Sequence, residues 1–151
     1  MFRGSNEINI DAKGRMAVPV RYRDGLLALC EGVLVATIDI QDKCLLIYPM
    51  PKWQEIETKI ASLSTFNKES RRVQRLLVGH AREIELDSNG RVLLPPELRA
   101  YAGLEKKVIL VGQSHRFELW SADSWDTSRE EWLEQAAGEV VIPEEMQSLS
   151  L

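Results

Sequence analysis

The sequence is poor in the side chains that most often build metal centres and nucleophilic active sites. Its 151 residues include two histidines, His80 and His115, and two cysteines, Cys30 and Cys44. Neither pair has the short spacing of a zinc motif, and both cysteines lie in apolar, strand-like surroundings, which favours buried thiols over a disulfide or metal ligands. We therefore expect no metal and no cofactor.

Familiar catalytic motifs are also missing. The chain has no Gly-x-Ser-x-Gly elbow, no phosphate-binding Gly-x-x-x-x-Gly-Lys-Ser/Thr loop, no His-Glu-x-x-His and no dinucleotide-binding Gly-x-Gly-x-x-Gly. No acid and base residues converge in the pattern. We interpret the protein as a non-enzyme without a small-molecule substrate, and an enzyme with an unrecognised site is the weakest alternative.

Long hydrophobic runs are absent as well. No stretch approaches the roughly 18 apolar residues that span a bilayer, and the first six residues lack the apolar segment of a secretory signal. We expect a cytoplasmic protein that does not associate with membranes.

The acidic charge is concentrated in the last part of the chain. The net charge is −4, but residues 118–151 carry nine acidic residues and one basic residue, Arg129. Residues 1–117 keep eighteen basic and fourteen acidic residues, a net charge of +4. The acidic average therefore does not exclude a basic, nucleic-acid-binding face on the body.

An internal repeat organises the chain. Residues 7–19 return 76 positions later as residues 83–95, with identical Glu, Ile, Asp, Gly, Arg and Pro. Residues 45–48 with Trp53 are echoed 72 positions later by residues 117–120 with Trp125. The repeat therefore predicts two modules with the same structure.

Each module predicts the order β-β-α-β-β. Apolar residues alternate with polar ones before a glycine turn and a second β-rich run, which indicates a hairpin. In each module a proline then begins a short helix, and Gly103 is suited to end the helix of the second module. Two further strands follow. In the first module the predicted helix is 20–29 and these strands are 33–38 and 44–48. In the second module the predicted helix is 97–102 and the strands are 108–112 and 116–120.

Longer helices are predicted outside this pattern. Residues at helical spacing close the modules: Trp53, Ile56, Ile60 and Leu63 in the first, and Trp125, Trp132 and Ala136 in the second. We expect the aromatic ones in the core, and the alternative is that they stack on nucleic acid. A connecting helix at 67–78 carries a basic stripe of Lys68, Arg71, Arg72 and Arg75. This stripe is either a solvated face, a contact with a neighbouring subunit or a strip that contacts phosphates.

The glycine turns carry the most distinctive chemistry. Arg15 and Arg91 each follow the glycine of a tight turn, and a planar guanidinium held there suits phosphates or the edge of guanine. Asp11 and Asp87 can accept hydrogen bonds from the turn backbone. The alternative is that each Asp pairs with the Arg four residues later merely to lock the hairpin.

These residues resemble a known family. The opening Met-Phe-Arg-Gly, the two Asp-x-x-x-Arg copies and the segment 71–81 resemble the MraZ family, transcriptional regulators of the bacterial division and cell-wall gene cluster, over roughly residues 1–135. The resemblance implies an α+β, AbrB-like swapped-hairpin fold with additional helices, in which both interlocking modules come from one chain. It also implies ring-shaped homo-oligomers, association with the nucleoid, and repression through repeated short boxes in double-stranded DNA ahead of the protein's own gene.

The resemblance transfers residue by residue to the two turns. It implies turn-supporting roles for Asp11, Gly14, Asp87 and Gly90 and DNA contacts by Arg15 and Arg91, with Lys13 and Arg3 as further candidates. The predicted units are a first module with connecting helices at 1–80, a second module with its closing helix at 81–138, and an acidic mobile tail at 139–151. The main alternative function is an oligomeric scaffold or an antitoxin-like protein that binds a protein partner.

Overall fold

The computed structural model describes residues 1–138 and 143–149, apart from the side chain of Gln147. Part of the tail predicted at 139–151 therefore lies outside the described residues. None of the described helices is long and apolar enough to cross a membrane.

The described residues form eight strands and six α-helices in an α+β arrangement, as predicted. The first half contains β1 (Phe2–Asn9), β2 (Arg15–Ala17), α1 (Val20–Cys30), β3 (Val33–Ile38), β4 (Leu45–Pro49), α2 (Met50–Ala61), α3 (Lys68–Val73) and a π-helical segment (Gln74–Val78). The second half contains β5 (Arg82–Glu85), β6 (Arg91–Leu93), α4 (Pro96–Tyr101), β7 (Lys107–Ser114), β8 (Phe117–Ser121), α5 (Ala122–Ala137) and α6 (Glu144–Gln147). Each half thus has the predicted β-β-α-β-β order.

The two halves exchange their first strands. A six-stranded antiparallel sheet has the order β1-β7-β8-β4-β3-β5, and β2 pairs with β6 in a separate two-stranded ribbon. Strand β1 thus pairs with the second module, and β5 pairs with the first. Within the first predicted hairpin only the bridge between Ile10 and Met16 remains. The fold is the swapped-hairpin arrangement, with both interlocking modules in one chain.

A pseudo-twofold axis relates the modules. The sheet order is unchanged when each strand is replaced by its repeat counterpart. Leu46 lies opposite Glu118 in the β4–β8 pair, and Met16 lies opposite Val92 in the ribbon. Each of these pairs consists of repeat equivalents, so the axis passes through both.

The core has two parts, one on each face of the sheet. Because successive side chains of a strand point to opposite faces, Leu34 and Ala36 join the larger cluster with Met16, Leu26 and other residues of the ribbon, α1 and α4. On the other face, a smaller cluster contains Val35, Leu46, Tyr48 and, from α2, Trp53. The ribbon with α1 and α4 therefore forms one layer, the sheet the next, and α2 and α5 the third.

The connecting helix differs from the prediction of one helix at 67–78. The Asn67 side chain caps α3 by accepting hydrogen bonds from the backbone of Glu69 and Ser70. After Val73 the chain widens into a π-helical turn. The carbonyl of Leu77 in that turn accepts the hydroxyl of buried Thr37 at 2.6 Å, so the wider turn satisfies a buried polar group of β3.

The prediction of a core position is wrong for Trp132. Trp53 is buried, but Trp132 is 41% exposed, and two aliphatic residues of the same helical patterns, Leu63 at 38% and Ala136, are exposed as well. Leu63 lies beyond the end of α2 at Ala61. Trp132 still makes edge contacts with Trp120 and Trp125, but it lies in the part of α5, residues 129–137, that is exposed throughout.

Candidate nucleic-acid interface

The two glycine turns have the same backbone structure. Asp11 Oδ1 accepts hydrogen bonds from the backbone N–H groups of Lys13 and Arg15, both at 2.9 Å, and Gly14 has φ +88°. Its repeat equivalent Asp87 accepts from the backbone N–H groups two and four residues later, at 2.8 and 2.9 Å. The hydrogen bond from the backbone of the arginine four residues on is the main cause that lowers the pKa of each aspartate. Both carboxylates thus shape their turns as anions.

The ribbon places the two turn arginines on one surface. Met16 and Val92, paired at its centre, are both 1% exposed and point into the core. By alternation, Arg15, Ala17, Arg91 and Leu93 therefore share the outer face of the ribbon. Arg15 and Arg91 lie diagonally across it, at a Cα separation of roughly 8 Å from standard strand geometry.

Backbone hydrogen bonds fasten each turn to the other module. The N–H of Val18 donates to the carbonyl of Gly90, and the N–H of Leu94 donates to the carbonyl of Gly14, both at 2.9 Å. Neither turn is therefore a free loop tip. The ribbon presents both arginines as one rigid unit.

The side chains break the symmetry slightly. Arg15 Nε donates to Asp11 Oδ2 at 3.1 Å, as the locking alternative expects for the first copy. In the second copy, Arg91 Nη1 lies 3.8 Å from Asp11 Oδ2, across the ribbon, and forms no ion pair with Asp87 in the part of the chain that the structure describes. Both arginine side chains remain partly exposed, at 37% and 40%. Exposed ion pairs of this kind are weak, so an external anion can replace the carboxylate as the partner of either guanidinium.

A second pair of arginines, Arg23 of α1 and Arg99 of α4, contacts the two turns. Arg23 Nε donates to the carbonyl of Val18 at 2.7 Å, and Arg99 Nε donates to the carbonyl of Leu94 at 3.1 Å. The guanidinium of Arg99 lies over Gly14, where a Cβ atom would be 2.8 Å from its Cζ. The guanidinium of Arg23 covers Gly90 in the same way, with Nε at 2.3 Å from such a Cβ. Each module thus supplies the arginine that covers the other module's turn.

The sequence contained a signal for this second pair. Arg23 and Arg99 are 76 positions apart, the offset of the repeat, but they lie just beyond the segments in which the similarity is continuous. The role of these residues depends on the strand exchange. A sequence read module by module therefore does not place either arginine at the opposite turn.

The other predicted contact residues are distributed differently. Lys13 is exposed at the first turn, beside Arg15. Arg3 lies eight residues before Asp11 on β1, which at ~3.3 Å per residue is roughly 26 Å along the strand. The basic stripe spans α3 and the adjoining π-helical segment. It lies beside the C-terminal end of α2, since Gln74 Nε2 donates to the carbonyls of Ile60 and Leu63. The structure therefore gathers Lys13, Arg15 and Arg91 but brings neither Arg3 nor the cations of the stripe to the ribbon.

One cluster has the composition of a cation site. Asp39, Cys44 and Glu118 have ligand atoms within 4.8 Å of one another. Glu118 already accepts a hydrogen bond from Trp120 Nε1 at 3.0 Å and lies 3.8 Å from Arg116. Burial, with the carboxylates of Glu118 and Asp39 nearby, raises the pKa of the Cys44 thiol far above its usual value. The thiol stays protonated, and internal contacts account for all three groups.

Comparison with known proteins identifies similar chains along the whole length. The family model described as "MraZ protein, putative antitoxin-like" matches residues 1–76 and 77–140, which correspond to the two repeats. A protein of Alkalilimnicola ehrlichii named "Transcriptional regulator MraZ" is 54% identical over 151 residues, and its match covers all of both chains. Proteins of the same name from Halorhodospira halophila and Coxiella burnetii are 52% and 53% identical over 152 residues, again with full coverage of both chains.

Proposed function

The chain belongs to the MraZ family, and from this premise we propose that it is a transcriptional regulator that binds repeated short boxes in double-stranded DNA. We propose further that it represses its own promoter and the division and cell-wall gene cluster, as a ring-shaped homo-oligomer associated with the nucleoid in the cytoplasm. Its relatives are named as regulators and not as enzymes, which agrees with the interpretation drawn from the missing catalytic motifs.

The observation that carries the proposal is the shared surface of Arg15 and Arg91. A two-stranded β-ribbon fits the major groove of B-form DNA. The ribbon's outer face holds one arginine from each module on a backbone that hydrogen bonds fix on both sides. The fixed backbone loses little entropy when these side chains bind, and a guanidinium fork can grip a phosphate or the O6 and N7 atoms of guanine.

The local charge supports contact with a polyanion. Lys13, Arg15, Arg23, Arg91 and Arg99 surround the turns, and Asp11 and Asp87 are the carboxylates that shape them. The net local charge of these seven residues is +3, although the whole chain carries −4. In this proposal Arg15 and Arg91 make the central contacts, Lys13 contacts phosphates, and Arg23 and Arg99 hold the turns in place.

Assembly into a ring explains why a few DNA-binding charges in each copy are enough. A ring presents the same ribbon at regular intervals, so several copies can engage several boxes on one DNA segment. After the first contact, each further contact is intramolecular and gains from a high effective concentration. Direct repeats in the DNA then correspond to repeated subunits, and the bound ring represses by blocking polymerase.

Fluorescence anisotropy tests this proposal with DNA from upstream of the protein's own gene. Three fragments of equal length carry the natural region, a single box, or the natural region with its repeats scrambled. We expect tight, salt-sensitive binding to the natural fragment, weaker binding to the single box and the weakest binding to the scrambled DNA. Equal affinity for all three fragments would contradict sequence-specific binding.

The family description "antitoxin-like" is the observation that favours the second candidate, a protein that binds a protein partner. Absence of binding to any of the three DNA fragments, together with capture of a defined protein partner in the same buffer, would support that candidate instead.

A further inference from the structure

The outer surface of the ribbon is less symmetric than the frame that presents it. Each turn has the same aspartate, glycine and arginine, and an arginine of the other module covers each turn. The equivalent residues lie 76 positions apart, so the pseudo-twofold axis exchanges them in pairs. This frame alone would offer DNA the same contacts in either orientation.

Three exposed positions break the symmetry. They are occupied by different residues in the two modules: Ala12 and Ser88, Lys13 and Asn89, and Ala17 and Leu93. The last pair differs most in apolar surface, because alanine ends at its Cβ atom whereas leucine has three more carbon atoms. Leu93 is 57% exposed on the outer face of the ribbon.

Leu93 lies between the two turn arginines. It is paired with Arg15 across the ribbon, and it follows Arg91 by two residues on the same face of β6. It belongs to neither core cluster of the described residues. Leu93 is therefore an apolar side chain framed by two guanidinium groups, within the patch that the proposed function assigns to DNA.

Thymine is the base that such a side chain recognises. Among the four bases only thymine presents a methyl group in the major groove, and apolar side chains contact it there. The Cβ atoms of residues paired across a ribbon are about 5 Å apart, and successive base pairs are spaced about 3.4 Å along the helix. Leu93 therefore reaches the base pair that Arg15 contacts or its neighbour.

We propose that Leu93 is a specificity-determining residue that packs against the C5-methyl group of a thymine, beside the nucleotide held by Arg15. This inference rests on the proposed DNA-binding function and adds a base to its contacts. The equivalent Ala17 is too short to make the same contact beside Arg91. Only one half of each box therefore requires a thymine at this position.

The same asymmetry gives the box a direction. The N–H of Leu94 donates to the carbonyl of Gly14, so Leu93 lies at the end of the ribbon that carries the first turn. That end presents Lys13 together with Leu93, whereas the other end has the uncharged equivalent of the lysine and the short alanine. A twofold-symmetric surface matches a palindromic site. The unlike ends of the ribbon instead match a box without a palindrome, which each copy binds in one orientation.

Removal of single methyl groups from the DNA tests the contact. The probe is the single-box fragment, in which each thymine is replaced in turn by deoxyuridine, so that only the C5-methyl group is lost. Fluorescence anisotropy at low salt compares the native protein with Leu93→Ala and with a control, Leu29→Ala, which shortens a leucine of similar exposure (54%) on α1. Light scattering and thermal unfolding give the mass and stability of each variant.

We expect one thymine of the box to depend on its methyl group. There, deoxyuridine should weaken binding by the native protein and by Leu29→Ala about fourfold, the effect of burying one methyl-sized group. Leu93→Ala should bind the unmodified box at least as weakly as the native protein binds the modified one. It should also be insensitive to deoxyuridine at that position, because the partner of the methyl group is already absent.

A double variant tests the direction of the box. Ala17→Leu with Asn89→Lys gives both ends of the ribbon the residues that the first end has. Each introduced residue already occupies the equivalent position in the other module, so the fold accommodates it. We expect this variant to bind a palindrome of two thymine-containing half-boxes about fourfold more tightly than the natural box, and the native protein to gain nothing from the palindrome.

The failures of the two proposals are distinguishable. A native protein that binds no DNA, or binds natural and scrambled DNA equally, would overturn the proposed function and this inference with it. Sequence-specific binding that no deoxyuridine weakens would overturn the thymine contact alone, as would equal sensitivity to deoxyuridine in Leu93→Ala and the native protein. A double variant that gains nothing from the palindrome would overturn the direction of the box. If Leu93→Ala proves unfolded, Leu93→Ser replaces it in the same comparison.

Discussion

Replacing Gly90 with alanine tests the cross-module support of the turns. Gly90 has φ +73°, and a Cβ atom there would lie 2.3 Å from Nε and 2.4 Å from Cζ of Arg23. Gly103 is a matched control, because it has φ +61° but nothing within 4 Å of an added Cβ. The two substitutions therefore share the backbone strain and differ in the arginine that must move.

The expected costs follow from these geometries. An L-residue in the left-handed region costs about 1–2 kcal/mol, which is the whole cost at Gly103. At Gly90 the Arg23 side chain must also leave the carbonyl of Val18, and the loss of a hydrogen bond from a charged donor adds about 1.5–3 kcal/mol. At ~2–4 °C per kcal/mol for a chain of this size, we expect Gly103→Ala to lower the Tm by about 2–8 °C and Gly90→Ala by about two and a half times as much.

Thermal unfolding and DNA anisotropy together give the result. Gly90→Ala should weaken DNA binding at a temperature where the variant is fully folded, because the turn that carries Arg91 shifts. Gly103→Ala should bind DNA as the native protein does. Equal losses of Tm in the two variants, with DNA binding unchanged in both, would refute the claim that Arg23 holds the opposite turn.

Further predictions concern α1, the turn aspartate Asp87 and the Cys44 thiol. Gly25→Ala should raise the Tm by about 1–4 °C, because this position in α1 has nothing within 4 Å of an added Cβ and alanine stabilises a helix interior by about 0.5–1 kcal/mol; a lower Tm in thermal unfolding would contradict it. Asp87→Asn should retain DNA binding, since the amide oxygen can still accept the turn's hydrogen bonds, whereas Asp87→Ala should weaken it; equal anisotropy curves for the two would count against the turn-supporting role. Hydrogen bonds to the backbone hold the pKa of Asp87 below its usual value of 3.8. The contribution of the Asp87 carboxylate to stability should therefore be present above about pH 4 and be lost as the pH falls through the lowered pKa. The difference in Tm between the native protein and Asp87→Ala should accordingly shrink in acid. The Cys44 thiol, buried and with a raised pKa, should resist iodoacetamide at pH 8 in the folded protein and react once it is unfolded in guanidinium, so rapid labelling of Cys44 in the folded state would contradict its burial.

Local chemistry explains what could be predicted from the sequence. The turn at residues 11–15 depends on one carboxylate and one glycine within five positions, so its conformation was predictable. The helices that close the modules were predictable from the spacing of their apolar residues. The end of α2 and the exposure of Trp132 were not, because apolar spacing along a helix does not show how many of its turns pack against the rest of the protein.

The interface as a whole depends on contacts between distant parts of the chain. Ile8 pairs with Val108, and Arg15 lies opposite Leu93. No local pattern encodes this register, and only the resemblance to a family predicted that the modules exchange strands. The placement of Arg23 over Gly90 follows from that exchange. The sequence of either module alone therefore does not predict this contact.

The most direct test of the proposed DNA-binding surface is the salt dependence of binding by Arg15→Ala, Arg91→Ala and the double variant, with Arg129→Ala on α5 as the control. For natural promoter DNA, we expect both single variants to bind more weakly and the double variant to bind weakest, with oligomer size and Tm unchanged. An arginine that holds a phosphate should lower the slope of log K against log salt by about 1 when it is removed, and one that reads a base should cost about 1–3 kcal/mol of discrimination. Binding by the double variant that equals that of the native protein and of Arg129→Ala would contradict the account and reduce both turns to structural elements of the ribbon.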